Sequence, residues 1–329
     1  MQGIVTRQGR VALEQLETPT VREGHILVRT EFSAISPGTE LSIVKRAPEQ
    51  SVNLGYSAVG IVERVGEGAD AGLLGKRVAC YGAPYVYHAE RLAVPTNLTA
   101  LVPDSVAAEE AAFGGLGAIA VHALRVARLS FGESVAVVGL GILGNLIAQI
   151  AHAAAYRTFG IDLDRARVEQ LKRLGVKTVY EEEARLEEAM TALTGGGIGV
   201  DAVIVCASGP GERLLNKALQ WIRPQGKVVV VGDVTMEFSR ELLFAKEAQM
   251  LISRAGGPGR YDAAYERDNC DYPIGYVRWT EGRNLGEYIR LLSEGRITTK
   301  PLVTGIYPLA QAPEAYAGSP GALATLLSY

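Results

Sequence analysis

The sequence predicts an α/β protein in which a doubly wound parallel sheet is joined to a second, β-rich domain, and three features carry that expectation. Up to about residue 115 the chain reads as short strands broken by Gly and Pro turns; beyond Leu116 strand-like and helix-like segments alternate; and the β-branched run at 135–138 passes directly into glycines at 139, 141 and 144. At 329 residues the chain exceeds the size at which single cores usually stop growing. Two domains are therefore expected: residues 1–116 completed by 254–329, and residues 117–253.

In the first part, strands are expected at 24–30, 58–65, 76–81 and 89–94, which suggests a partly closed antiparallel β domain. A helix through 118–124 follows, then the strand at 135–138, a helix over 146–155 and a strand at 158–161 that ends at Asp162. A helix near 165–174, a strand at 200–205, a helix at 211–221 and a strand at 227–231 continue the alternation, which builds a parallel sheet. The charge run at 181–188 reads as a solvated helix face. Past Ile252, 253–261 and 271–279 lack clear periodicity, and their Tyr, Trp and Arg content argues for an ordered, functional stretch. The tail, 302–309 and 312–316, looks like a strand and a helix returning to the amino-terminal domain.

Composition narrows the function classes. Hydrophobic content of 48% and charged content of 21% describe a soluble globular chain, and a net charge of −3 gives no reason to expect nucleic acid as partner. No apolar run is long enough to span a membrane, and residues 1–10 lack the apolar core of a signal peptide, so a cytoplasmic location is expected. Cys80, Cys206 and Cys270 stand far apart and never in C-x-x-C spacing; they read as buried thiols, with no disulfide framework or structural zinc lobe.

The glycines at 139, 141 and 144 follow a strand and open a helix, at G-x-G-x-x-G spacing, and a second strand ends at Asp162, 23 residues after Gly139. This is a βαβ dinucleotide-binding unit of Rossmann type. Gly139 permits the tight turn, Gly141 lets backbone amides approach a pyrophosphate, and Gly144 lets the helix pack on the strand. Ile142 and Leu143 lie in the turn, where the helix amino terminus offers N–H groups to phosphate. Asp162 would accept hydrogen bonds from the adenosine ribose and repel a 2′-phosphate, so the expected cofactor is NAD rather than NADP. Leu163, Ala207, Ser208, Val231 and Gly232 complete the predicted cofactor contacts.

Taken together, 55–66, 74–78, 108–113, 114–124 and the glycine turn make the chain resemble the medium-chain dehydrogenase/reductase superfamily, which includes zinc alcohol dehydrogenases and quinone reductases. The resemblance covers nearly the whole length and implies that the β-rich domain is GroES-like and catalytic. It also implies that Arg167 contacts the adenosine ribose. Zinc-dependent members of the family bind metal through a cysteine, a histidine and a third ligand at places that here hold Ser36, Tyr56 with Ser57, and Gly115. A hydroxyl, a phenol and a glycine do not replace thiolate and imidazole around zinc, so a metal-free member is expected. Residues 35–41, 255–261 and 272–280 further resemble a branch containing bacteriochlorophyllide hydroxyethyl dehydrogenase and the dehydrogenase half of bi-domain oxidoreductases.

Without a metal, a side chain must stabilise or protonate the reactive oxygen. Tyr56, Ser36 and Glu40 fall at or beside the lost ligand positions, and His88 falls where relatives place a substrate-pocket side chain. Tyr56 or His88 is expected to handle the proton, and Thr39 or Ser36 to orient the hydroxyl. Alternatives remain for each: Tyr56 as filler of a vacated cavity, His88 as a satisfied strand-edge histidine, Glu40 as a helix cap near Thr39, and Ser36 as part of the turn before Pro37. Tyr81, Tyr87, Arg254, Arg260, Tyr261, Arg278 and Trp279 are candidates for holding a polar or ring-shaped substrate, or for an ordered lid tied to its own chain or to a second subunit. His25, His122 and His152 read as structural.

The expected function is NAD-dependent, zinc-independent interconversion of a secondary alcohol and a ketone on a polar, cyclic or polyhydroxylated small molecule. The rival readings are an NADPH-dependent quinone or enoyl reductase and a non-catalytic nucleotide-binding regulatory protein. A homodimer is expected, because relatives extend one sheet across a two-fold axis near the strand 227–231.

Overall fold

A computed structural model describes residues 1–194, 197–318 and 323–329. The chain divides into two compact units, the first made of Met1–Ile119 with Ala255–Tyr329 and the second of Ala120–Arg254.

The first unit is built on a seven-stranded sheet. Its central strand, His25–Ile35, lies antiparallel to Ser57–Val65 along one side. Along the other side its first half pairs with Arg91–Pro95 and its second half with Ala324–Ser328. The strand Arg77–Tyr81 follows Ser57–Val65, with Thr99–Leu101 beyond it, and Val303–Pro308 runs parallel to Ala324–Ser328. The tail strand thus places Leu327 opposite Ser33, and Tyr329 N–H donates to the Glu31 carbonyl at 3.3 Å. Alternating side chains of these strands bury Ile26, Val28, Ala58, Val62, Val78, Leu92 and Val94 in one cluster. A separate hairpin, Gln2–Arg7 with Arg10–Gln15, turns at Gln8 and Gly9, both with positive φ.

In the second unit six strands form one parallel sheet in the spatial order Val179–Tyr180, Arg157–Ile161, Ser134–Val138, Val200–Val205, Ile222–Val230, Gln249–Ile252. Helices Ile142–Ala153, Arg165–Arg173, Glu183–Leu193 and Glu212–Trp221 connect the strands. The order reverses between Ser134–Val138 and Val200–Val205, the switch point where ligands settle at the carboxyl ends of strands. Ile222–Val230 is paired on both sides, and the free edge on that side is Gln249–Ile252.

The stretch after Ile252 gains helices that periodicity did not mark, and the reading of all three cysteines as buried needs correction. The stretch after Ile252 is ordered around a short helix, Ala263–Glu266, and leads into a thirteen-residue helix, Glu281–Ser293, whose amino terminus is capped by Thr280. Of the three cysteines, Cys80 is buried and Cys206 half-buried, with burial pushing both thiols up to about 12, but Cys270 is exposed. Cys270 follows the helix Ala263–Glu266 in a solvent-facing turn, where no sheet or helix face covers it.

Candidate active site

The nucleotide turn of the second unit has a distinct reason for each glycine. Gly139 has φ +88°, and a Cβ there would sit 2.8 Å from the Ala207 backbone nitrogen. At Gly144 a Cβ would come within 1.8 Å of the Gly139 carbonyl oxygen, so only glycine lets the helix start this close to the turn. Gly141, the residue before the helix Ile142–Ala153, caps it with no side chain, and a Cβ there would meet nothing within 4 Å. The first helical N–H groups therefore lack intrahelical partners beside open space, which fits an anionic pyrophosphate.

Asp162 is only 9% exposed in its side chain and braces the same turn. Its Oδ2 accepts from Leu140 N–H at 2.6 Å and faces Arg167 Nη1 at 3.4 Å, and its Oδ1 accepts from Asp164 N–H at 2.9 Å. Oδ1, with one partner, keeps a second lone pair, leaving room to accept from a ribose hydroxyl. Ile142 is buried, Leu143 half-buried, and Leu163 is exposed to solvent. Ala207, Ser208, Val231 and Gly232 all follow strand ends: Ala207 N–H bonds to the Val138 carbonyl, and Val231 and Gly232 N–H both bond to the Val205 carbonyl. Ser208 Oγ accepts from Asp233 N–H at 3.3 Å. These residues fit a dinucleotide.

In the first unit the structure gathers Ser36, Glu40, Tyr56 and His88 into one hydrogen-bonded cluster. The helix Pro37–Lys45 begins after Ser36, whose hydroxyl makes no capping bond. Capping falls instead to Glu40, whose Oε1 accepts from Ser36 N–H at 2.7 Å. That leaves Ser36 Oγ to accept from the Tyr56 hydroxyl at 2.7 Å. Burial pushes the Tyr56 phenol up to about 12, opposed by its bond to Ser36, so it stays a neutral donor at physiological pH. Thr39 is exposed on the same helix turn, and the Tyr81 ring meets Tyr56 edge to face at 6.0 Å.

His88 lies behind this pair and is 0% exposed. Its Nε2 is 3.0 Å from Glu40 Oε2 and its Nδ1 is 2.7 Å from Ser33 Oγ. Glu40 accepts from Ser36 N–H and from Tyr316, and the same role toward the ring assigns a proton to Nε2 and leaves Nδ1 to accept from Ser33. Gly55, at φ +98°, passes so close that a Cβ would lie 2.8 Å from the imidazole, and the backbone thereby seals the ring from that side. Tyr316 donates to Glu40 Oε2, and Tyr329 and Ser33 share a 2.7 Å hydroxyl contact. Burial is the largest cause raising the phenols of both Tyr316 and Tyr329. His88 therefore reaches outward only through Glu40, while Tyr56 and Thr39 are the members a small molecule can touch.

The remaining candidates are dispersed. Tyr81 is buried, accepts from Gly256 N–H at 2.9 Å, and has its phenol raised mainly by burial. Tyr87 is half-buried and packs on the sheet core. Arg260 is held by Glu266 and the Ala83 carbonyl and lies over the exposed Tyr261 ring at 4.2 Å. The Arg278 guanidinium lies 4.0 Å over Trp279. Arg254 belongs to the second unit and is exposed. Ser33, Tyr316 and Tyr329 were not anticipated; nothing local marks Ser33, and the tyrosines join from the far end of the chain.

The positions matching zinc ligands do not fit that ion. Oxygens sharing a tetrahedral zinc lie roughly 3.4 Å apart, whereas Ser36 Oγ and Tyr56 Oη are in direct 2.7 Å contact. Ser57 Oγ is committed to the Ala112 carbonyl and to Gly115 N–H. Among the described residues no group of three or more His, Cys, Asp or Glu side chains is placed to hold a metal ion.

Comparison with known proteins places this architecture. Residues 142–267 match the family model described as zinc-binding dehydrogenase, a span that includes none of positions 36, 56, 57 and 115. D-xylulose reductase A of Aspergillus oryzae is 22% identical, over 93% of this chain and 90% of that protein. Alcohol dehydrogenase TADH from Thermus sp. ATN1 superposes with a TM-score of 0.80 at 25% identity, covering 100% of this chain and 99% of that one. The chain is similar over its whole length to alcohol dehydrogenase-like proteins, and the family model matches part of its second unit. It is an oxidoreductase acting on CH–OH groups, and its mixed fold of a parallel sheet with a β-rich domain matches that of these medium-chain alcohol dehydrogenase neighbours. Galactitol-1-phosphate dehydrogenase from Escherichia coli shares the fold, with a TM-score of 0.79 and 18% identity over the full length of both chains. Among the described residues no helix is long and apolar enough to cross a membrane.

Proposed function

We propose that the protein interconverts a secondary alcohol and a ketone on a polar, polyhydroxylated or cyclic small molecule, using NAD and no zinc. The observation that carries the reading is the Tyr56–Ser36 hydroxyl pair, backed by Glu40 and standing in place of a metal-ligand set. When bound, nicotinamide supplies the acceptor or donor of hydride at its C4. The Tyr56 O–H, donated to Ser36 Oγ in the structure, turns to donate a hydrogen bond to the reacting oxygen, and Thr39 orients the substrate hydroxyl. In oxidation the carbinol carbon loses its hydrogen with the electron pair, and the hydroxyl proton leaves by way of the Tyr56 hydroxyl, since the bond from Ser36 to Glu40 is a backbone N–H that does not pass a proton on. The D-xylulose reductase relative supports a ketose or polyol as substrate class.

The preference for NAD rests on the Asp162 carboxylate, which repels a 2′-phosphate. A cytoplasmic homodimer, paired through the sheet edge at Gln249–Ile252, with a small-molecule substrate and without nucleic acid, belongs to the same reading; sedimentation at the mass of one chain refutes the dimer. The test is a fluorescence titration with NADH and NADPH followed by turnover of a polyol and ketose panel. Tighter NADPH binding, with reduction of enones only, supports the quinone/enoyl reductase instead. Undiminished turnover in both Tyr56→Phe and His88→Gln removes the proton assignment, where about 10²-fold loss is expected for Tyr56→Phe.

A further inference from the structure

A serine at the start of a helix ordinarily spends its hydroxyl on a backbone N–H of the first turn. Ser36 does not, for its hydroxyl makes no capping bond. Glu40 leaves that hydroxyl alone as well: its Oε1 takes the Ser36 backbone N–H at 2.7 Å, and its Oε2 is held by His88 and Tyr316. The Ser36 backbone is thereby pinned, while its side chain keeps one bond, accepted from the Tyr56 hydroxyl at 2.7 Å. Among the described residues nothing accepts the proton of Ser36 itself. A hydroxyl has one donor and two acceptor sites, so the donor of Ser36 is uncommitted beside the Tyr56 oxygen.

We infer that Ser36 is a positioning residue whose bond with Tyr56 reverses: when the Tyr56 O–H turns to the reacting oxygen, the Ser36 O–H turns to donate to Tyr56 Oη. In reduction the new alkoxide oxygen takes the Tyr56 proton as the phenol O–H bond breaks, and the phenolate left behind accepts from Ser36. Water returns the proton to Tyr56 once the alcohol has left, and the pair goes back to its resting direction. A hydrogen bond to the ionised form favours that form. The groups that face Tyr56 are Ser36, Thr39 and Glu40, at the start of one helix, and Tyr81, at the end of Arg77–Tyr81. Burial and the Glu40 carboxylate disfavour the phenolate; Ser36 is the larger of the two that favour it, ahead of Thr39. The use of the reversal in turnover rests on the oxidoreductase reading, but the hold of Ser36 on the Tyr56 proton does not.

The test follows the Tyr56 Cζ resonance of protein carrying ¹³C-tyrosine, assigned through Tyr56→Phe, from pH 7 to pH 11 while circular dichroism shows the fold intact. With the phenol pushed up to about 12, roughly a tenth is ionised at pH 11, and the resonance moves in proportion. Ser36→Ala removes the donor without removing a capping bond. The movement should shrink by about threefold or more, and kcat on a polyol that is turned over should fall about tenfold with KM within about threefold. Ser36→Thr keeps the hydroxyl and should stay within about threefold of the parent in both. A merely structural role acts in the opposite sense: a loosened site admits water, relieves the burial that raises the phenol, and enlarges the movement. An unchanged or larger movement in Ser36→Ala overturns the inference. So does a rise in KM at unaltered kcat, or a parent resonance that stays still to pH 11, since nothing then favours the phenolate. A shrunken movement with no NAD-linked turnover of any alcohol keeps the role of Ser36 toward Tyr56 and refutes the proposed function.

Discussion

Glu40→Gln exchanges one oxygen for an NH₂ group and tests how the cluster is held. Three donors converge on this carboxylate: Ser36 N–H at 2.7 Å, His88 Nε2 at 3.0 Å, and the Tyr316 hydroxyl. The side chain is 1% exposed, so no solvent replaces a lost acceptor. In the variant one oxygen becomes an NH₂ group that faces donors. Tyr316 can rotate its hydroxyl to accept from the amide, but Nε2–H and the amide then oppose each other unless the imidazole changes tautomer, which strands Ser33. An unsatisfied buried donor costs about 1–3 kcal/mol and breaking a buried charged contact about 3–5, so a loss near 3 kcal/mol is expected. For a unit of this size that lowers Tm by roughly 6–12 °C. Calorimetry of the single variant, of Tyr316→Phe and of the double variant checks it; the double should cost about 1 kcal/mol less than the sum, because either change alone removes the Tyr316–Glu40 carboxylate bond, which can be lost only once. A Tm within 2 °C of the parent, or strict additivity, refutes the convergence argument.

Other expected outcomes follow the same structure. Burial, then the charges of Arg125 and Arg254, lowers the His122 imidazole to about 4. Its folded value lies below the unfolded one, so the unfolded chain binds the proton first and stability falls as pH drops from about 6.5 toward 4, by at most about 2 kcal/mol between pH 7.5 and 5 and nearer 1 after screening at this half-buried site. Urea midpoints at the two pH values should show a flatter slope in His122→Gln. Gly144→Ala places a Cβ 1.8 Å from the Gly139 carbonyl; the displaced helix should weaken NADH binding about tenfold or more by calorimetry, and equal affinity contradicts the role given to this glycine. Gly55→Ala meets both the positive φ and the His88 ring, and should cost about 1–3 kcal/mol and shift the His88 ring resonances; an unaltered spectrum shows that the backbone does not seal the imidazole.

The second unit was legible because its signals are local. A β-branched strand, three glycines and an acid at the next strand tip lie within 30 residues, and each meets its physical requirement in the folded turn. The helix Glu281–Ser293 carried a signal that Gly282 and Gly286 obscured: Leu285, Tyr288, Ile289 and Leu292 repeat at helical spacing and are all buried. The hairpin at the start turns at Gln8-Gly9, a weaker cue than Asn-Gly or Asp-Gly. Half of the candidate site was out of reach for a different reason. Ser33 and Tyr329 are separated by 296 residues, and Tyr316 and Glu40 by 276; the pairing of the tail strand with His25–Ile35 brings the first two together, and the helix Ala312–Ala317 carries Tyr316 to Glu40.

That long-range construction sets what the site depends on. A metal ion orders its ligands through its own charge, and the residues at the matching positions here do not fit one. The cluster is ordered by directional hydrogen bonds, each worth about 1 kcal/mol net and each requiring its partner to be fixed beforehand. The fixing is done by the sheet: Ser33 is held by pairing on both sides of its strand, His88 by Ile4 N–H on its carbonyl and by the Leu54 carbonyl on its N–H, and Ser36 by the start of a helix. A change that frays Ala324–Ser328 from His25–Ile35 therefore removes Tyr329 from Ser33 and opens the inner end of the cluster to water, although it touches none of Tyr56, Ser36 or Glu40. Loosening the tail should alter the chemistry at Glu40 before it unfolds the unit.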